Sequence, residues 1–234
     1  MSLKKDSRKR LKDTNFLYDF VKVTGMPSAF ILCRPKVIHI SDKARKHIKG
    51  GVMIASNHIT FIDPIIIHFA FWYRRLNFLA TKDLFKSRLK QWFFEVVHCI
   101  VVDKNNFTMR SLHAVCDKLK QDKAVVIFPE GTVGKDENNV QPFKSGAILM
   151  THISGKPIVP IYIIPAKSWH DSNKIIVGEP IDLTELCGKI PSAQQIEDAA
   201  KHLRQKEQEL IDFYYTTYKK NKKEQQNEDQ QRDI

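Results

Sequence analysis

Val52-Met53-Ile54-Ala55, then Ser56-Asn57-His58-Ile59-Thr60-Phe61-Ile62-Asp63, then Pro64-Ile65-Ile66-Ile67-His68-Phe69-Ala70-Phe71-Trp72-Tyr73 is the stretch on which the fold turns. It reads as a short buried strand, a polar turn and a helix opening near Pro64, a residue favoured at a first helical position. The same alternation extends in both directions. Short apolar runs at 37–40, 51–55, 76–80, 100–102, 124–128, 158–164 and 175–177 predict strands, and 64–73, 84–97, 108–119 and 145–154 have helical length and composition. Strands alternating with helices imply an α/β fold, a largely parallel mixed sheet flanked by helices, whose ligands sit at the carboxyl ends of the strands.

Toward the carboxyl terminus, Ser192 and Gln195 have capping-box spacing, and Ile196, Ala200, Leu203, Leu210 and Tyr214 trace one apolar helix face. Residues 219–234 are polar with little to bury and are expected to be a disordered tail, which leaves 36–218 as one domain. Residues 1–35 are different in kind. Lys4, Lys5, Arg8, Lys9, Arg10 and Lys12 precede Phe16, Leu17, Phe20 and Val21 at helical spacing, and Gly25, Met26 and Pro27 should interrupt that helix before a second apolar patch at 29–33. A basic arm beside an amphipathic segment suits a monotopic contact with anionic lipids at a membrane surface.

Bulk properties narrow the classes. The chain has 234 residues, 42% of them apolar, and a formal net charge of +12. Residues 1–49 hold 13 Lys and Arg against 4 Asp and Glu, a net of +9, whereas residues 50–218 hold 20 against 18, a net of +2. The domain is thus nearly neutral, which argues against a nucleic-acid partner. The four cysteines, Cys33, Cys99, Cys116 and Cys187, form neither a metal pattern nor a disulfide framework, so a reducing compartment is expected and no metal is implied. No signal peptide is evident, and the longest apolar stretch, 64–73, is too short to span a bilayer, so no transmembrane helix is expected and the protein is placed on the cytosolic face of a membrane.

Within the first stretch, His58 is followed five residues later by Asp63, and a strand-to-helix turn can fold the two together. The chain supplies its own control. His98 and Asp103 have the same spacing, but residues 99–102 read as a strand, which should send them to opposite faces. A second candidate, Phe128-Pro129-Glu130-Gly131-Thr132, follows the apolar run 124–127 and puts a carboxylate at a strand's carboxyl end. Pro160, inside the run 158–164, on its own predicts an edge strand or a bulge, because proline lacks a ladder donor.

The ordered set resembles the glycerolipid acyltransferase family, which includes bacterial lysophosphatidic acid acyltransferases. The resemblance covers roughly residues 37–180. Asn57, His58 and Asp63 match the first block, Ile100 to Lys104 loosely the second, Phe128 to Thr132 the third and Pro160 the fourth. It implies transfer of an acyl group from a thioester of coenzyme A or acyl carrier protein to a glycerolipid hydroxyl, with no cofactor, His58 as base and Asp63 as its partner. Asn57, Glu130, Gly131 and Thr132 would contact the substrates. Family members with phosphate-bearing acceptors carry arginine where this chain has Lys104 and Val133, and commonly serine where it has Gly134. Lysine is a point charge rather than a bidentate fork and valine offers no donor, so Lys82, Lys135 and Lys144 are the cations available to replace them. Lysophosphatidic acid leads as acceptor, with another lysolipid or an aminolipid as the alternative and a non-catalytic membrane-binding protein as the rival from a different class.

Overall fold

The computed structural model describes residues 2–81, 87–102, 108–131, 141–183, 187–188 and 190–219, with side chains from residue 15 onward except at 89 and 90. Seven strands form one sheet: β1 (Pro35–His39), β2 (Val52–Ser56), β3 (Leu76–Thr81), β4 (Ile100–Val102), β5 (Ala124–Ile127), β6 (Ile158–Ile164) and β7 (Asn173–Val177), in spatial order β1-β7-β6-β2-β5-β3-β4. All neighbours are parallel except β6 and β7. The sheet is the mixed, largely parallel one expected.

Covering both faces of such a sheet makes its central strands apolar throughout, and β2 is buried along its whole length. Its side chains alternate between two cores. Met53 and Ala55 pack with α5 (Met109–Lys120), α6 (Gly146–Ser154) and α7 (Ala193–Asp212), whereas Val52 and Ile54 pack with Ile66 and Ile67 of α3 (Asp63–Ala70). α7 starts at the expected capping box of Ser192 and Gln195. The tail expected at 219–234 lies, beyond Lys219, outside the described residues.

Pro160 corrects half of one reading. β6 is an interior strand, between β7 and β2, not an edge. The bulge alternative is what the structure has: β7 stops at Val177, and pairing with β6 resumes at Ile158 opposite Ile181, one residue out of register, so the donor that proline lacks falls at the irregularity. Its carbonyl still accepts from Gly178 N–H at 2.9 Å. Gly178 packs so closely that a Cβ there would lie 2.8 Å from Pro160 Cγ.

The amino-terminal segment corrects another. α1 is a single helix, Ser2–Cys33, with Pro27 inside it and no break at Gly25. The missing backbone bond is outweighed by fastening on both sides of the proline. Tyr18 is buried, its hydroxyl donating to His68 Nε2 at 2.9 Å and accepting from Leu76 N–H at 2.8 Å. Arg75 grips Asp19 at 2.9 and 2.6 Å, and Lys22 Nζ donates to the carbonyls of Trp72 and Arg74. At the far end Asn173 donates to the Cys33 carbonyl. The unbroken helix also revises the expectation of no spanning segment: Asn15–Cys33, 19 residues, is apolar enough to cross a membrane and at roughly 28 Å long enough. Its length and composition do not decide between crossing and lying flat.

His98 stacks on Tyr18, ring centroids 4.8 Å apart, and so helps seat α1. Burial holds both His68 and His98 down to about 4, so both are neutral at physiological pH. Asp103, the other half of the control pair, lies outside the described residues.

Candidate active site

β2 ends at Ser56, and the chain turns through Asn57 to Ile62 into α3. Asn57 is fully enclosed, its amide spent on one backbone position of the neighbouring strand: Nδ2 donates to the Ile163 carbonyl at 2.9 Å, and Ile163 N–H donates to Oδ1 at 2.7 Å. The side chain thus mimics a ladder rung between β2 and β6 and fixes where the turn leaves the sheet. Asn57, expected as a substrate contact, thus holds the turn in place through one donor and one acceptor of its amide.

Asp63 opens α3, where a carboxylate is favoured by the helix dipole, and it is wholly buried. Its Oδ2 accepts from Ile59 N–H at 2.7 Å, Thr60 N–H at 2.9 Å and His58 Nδ1 at 2.9 Å, and its Oδ1 accepts from the Thr60 hydroxyl. A carboxylate oxygen already taking two backbone donors leaves His58 Nδ1 only the donor role, so in the neutral ring it is Nε2 that presents its lone pair. Nε2 has no hydrogen-bond partner among the described residues. Phe128 stacks on the imidazole at 4.1 Å between centroids and holds the ring plane. His58 retains 19% side-chain exposure, enough to meet a substrate.

β5 pairs directly with β2, Ala55 opposite Ile127, so the segment after β5 emerges beside His58. There Glu130 is buried, accepts from the Gln141 backbone N–H and lies close enough to feel the charges of His58 and Asp63. Burial pushes its pKa up; the Gln141 N–H and His58 pull it back, and Asp63 adds to the rise. Gly131 takes φ of +69°, and a Cβ at that position would lie 2.9 Å from Lys144 Nζ, so the lysine chain runs across the glycine. Lys144 N–H donates to the Pro129 carbonyl at 3.0 Å, which ties it to this loop. The structure therefore gathers His58, Asp63, Glu130, Gly131 and Lys144 at the carboxyl ends of β2 and β5. Thr132, Lys104, Lys135, Lys82, Val133 and Gly134 lie outside the described residues. A cleft of about 620 Å³ beneath α1, lined by Asp19, Lys22, Trp72, Arg75 and Lys123 among others, is at the opposite ends of the strands and is not this site.

Sequence reasoning missed Glu207. It sits on α7 with both carboxylate oxygens buried and without hydrogen-bond partners among the described residues, and burial, with the Glu130 charge nearby, holds its pKa well above the usual carboxylate range. The signal was present: 207 lies four after Leu203 and three before Leu210, on the apolar face. The folded state holds this proton more tightly than the unfolded chain, so its contribution is most favourable below the unfolded carboxylate pKa and declines as pH rises above it. Glu207→Met should therefore stabilise the protein at pH 8 by roughly 1 to 3 kcal/mol, the cost of a buried unsatisfied polar group, and by less at pH 5. Thermal unfolding of both proteins at the two pH values checks this; an equal difference at both would refute it.

Comparison with known proteins agrees with the geometry. The model of a family described as Acyltransferase matches residues 37–164. The 1-acyl-sn-glycerol-3-phosphate acyltransferase of Bacillus subtilis is 25% identical over 178 residues, covering 74% of this chain and 87% of that protein. The like-named Streptococcus pneumoniae protein is 26% identical over 178 residues, covering 74% of this chain and 64% of its own length. The crystal structure of the LPA acyltransferase PlsC from Thermotoga maritima shares the fold, with a TM-score of 0.61 at 19% identity, covering 88% of this chain and 83% of that one.

Proposed function

Because the chain belongs to the acyltransferase family, with the family's match running through both halves of the site, we propose that it acylates lysophosphatidic acid to phosphatidic acid from a thioester of coenzyme A or acyl carrier protein. The observation that carries this reading is the His58 and Asp63 pair, with Nδ1 held by the carboxylate and Nε2 turned away from it. His58 Nε2 takes the proton of the acceptor hydroxyl as that oxygen bonds to the thioester carbonyl carbon. The tetrahedral intermediate then collapses, the carbon–sulfur bond breaks, and the thiolate receives the proton from Nε2. Asp63 stabilises the imidazolium between the two steps. A thioester is already activated, so no protein acyl intermediate is needed.

Glu130 and Gly131 lie on the acceptor side, and Lys144, draped over Gly131, is a cation within reach of a headgroup phosphate. Lys104 and Lys135 are proposed to share that task. The relatives' names support the acceptor. The protein would work as a monotopic enzyme on the cytosolic membrane face, with α1 lying along the surface, since crossing the bilayer would pull Tyr18, Asp19 and Lys22 away from their partners in the domain. A panel of lysolipid and aminolipid acceptors with labelled acyl-CoA and acyl carrier protein tests the reading. Lysophosphatidic acid should exceed lysophosphatidylcholine and lysophosphatidylethanolamine in kcat/KM by about tenfold or more, the weight of one charge-assisted contact. A preference for a phosphate-free acceptor would reassign the substrate, as the missing arginines at 104 and 133 suggest.

A further inference from the structure

The turn between the two catalytic residues carries a feature its chemistry does not use. Asp63 is completely buried, yet Phe61, two residues before it, is 87% exposed, and Ile62 and Ile65 are 40% and 44% exposed. Ile62 caps α3 and Ile65 lies three residues on in its first turn, and Phe61 stands in the turn that leads into them. Exposed apolar residues scattered singly need no explanation; a group beside a catalytic histidine does.

A second exposed apolar surface lies at the same end of the sheet. Phe30, Ile31 and Leu32 in the last turns of α1 and Trp169 are all exposed, and Phe30 packs at 6.0 Å on Phe69 of α3. Arg34 donates to the Trp169 carbonyl at 2.7 Å and lies over its ring. The carbonyl of Cys33 is held by Asn173, where β7 begins beside the end of β6, and β6 ends next to Asn57. Tryptophan and arginine at the edge of an aliphatic patch, continued by a basic arm, are the composition an anionic bilayer interface selects.

We propose that the catalytic turn is itself a membrane-inserting element: Phe61, with Ile62 and Ile65 behind it, enters an anionic bilayer and carries His58 to the depth of a lipid acceptor's glycerol hydroxyl. This contact is separate from α1 and rests on the proposed function only for the identity of the acceptor. It spares the enzyme from extracting its acceptor, because the hydroxyl of a membrane-resident lysolipid lies just above the acyl chains.

Phe61→Cys in the full chain, labelled with an environment-sensitive fluorophore, tests the insertion without any catalysis. Cys33, Cys116 and Cys187 are buried and Cys99 is half-buried, and the unsubstituted chain taken through the same labelling gives the background. With vesicles of phosphatidylcholine containing a quarter phosphatidylglycerol, emission should shift to the blue and rise several-fold, and lipids brominated high on the acyl chain should quench it. An unchanged spectrum overturns the proposal. So does the same shift with acyl-CoA alone below its micellar concentration, because the turn would then line the donor's chain. In a second arm, Phe61→Ser with Ile65→Ser should lower kcat/KM on a vesicle-embedded acceptor by about tenfold or more, with little change on a short-chain soluble one. Equal loss on both would make these residues part of the substrate pocket and overturn the proposal. Failure of the proposed function would look different: the parent protein would use neither acceptor, while the fluorescence would still report insertion.

Discussion

Replacing His58 by alanine is expected to lower turnover by about two to four orders of magnitude, the range of a general base, with the protein still folded. The imidazole is not a structural keystone. It retains 19% side-chain exposure, and it supplies only one of the donors to Asp63, whose carboxylate keeps Ile59 N–H, Thr60 N–H and the Thr60 hydroxyl without it. Unfolding temperature should therefore move little while the rate collapses. Steady-state turnover beside a thermal melt checks both, and near-parental turnover in a folded variant would remove His58 from the mechanism. His98→Ala is the matched control: that ring is placed to seat α1 on Tyr18, so the chemical step on a soluble acceptor should survive its loss.

Asp63→Asn should reduce turnover by about two to four orders of magnitude as well, by a different route. The carboxylate offers acceptors only, and four donors converge on it. Ile59 N–H, Thr60 N–H and His58 Nδ1 all meet the same carboxylate oxygen, and the Thr60 hydroxyl meets the other, so an asparagine must turn its NH2 group either to those three donors or to the Thr60 hydroxyl, which can accept. If it faces the three donors, Nδ1 becomes the acceptor, the proton moves to Nε2, the base is lost, and the two backbone N–H groups are left buried and unpaired. If it faces the Thr60 hydroxyl, the contacts survive but the negative charge that stabilises the imidazolium and binds four donors is gone. The variant should be slower and also less stable, by roughly 1 to 3 kcal/mol. Chemical denaturation and the pH dependence of kcat measure the two effects. Parental values of both would exclude Asp63 from the site, whereas lost stability with intact turnover would make it purely structural.

Much of this protein was legible in the order of its residues. Periodicity places the seven strands because a two-sided sheet needs unbroken apolar runs, and the match between 100–102 or 158–164 and the observed β4 and β6 follows from that requirement alone. The strand, turn and helix around His58 and Asp63 are likewise local: a proline at the second position of α3 and a five-residue spacing bring the pair together without help from distant sequence. Readings failed where a remote partner decides the outcome. Pro27 argues locally for a break, but Tyr18, Asp19 and Lys22 are anchored some 50 residues away in sequence, and that tertiary fastening carries the helix through. Pro160 leaves an edge and a bulge both open, and only the slip in register between Val177 and Ile181, on an interior strand, decides for the bulge. Asn57 pairs with Ile163, 106 residues on, and Glu207 lies inside the core within reach of the Glu130 charge, relations set by how β6, β5 and α7 pack rather than by any spacing along the chain. Local pattern thus determined the elements and the pairing of His58 with Asp63, while the tertiary structure decided which polar groups spend their hydrogen bonds inside the protein and which, like Nε2 of His58, face outward.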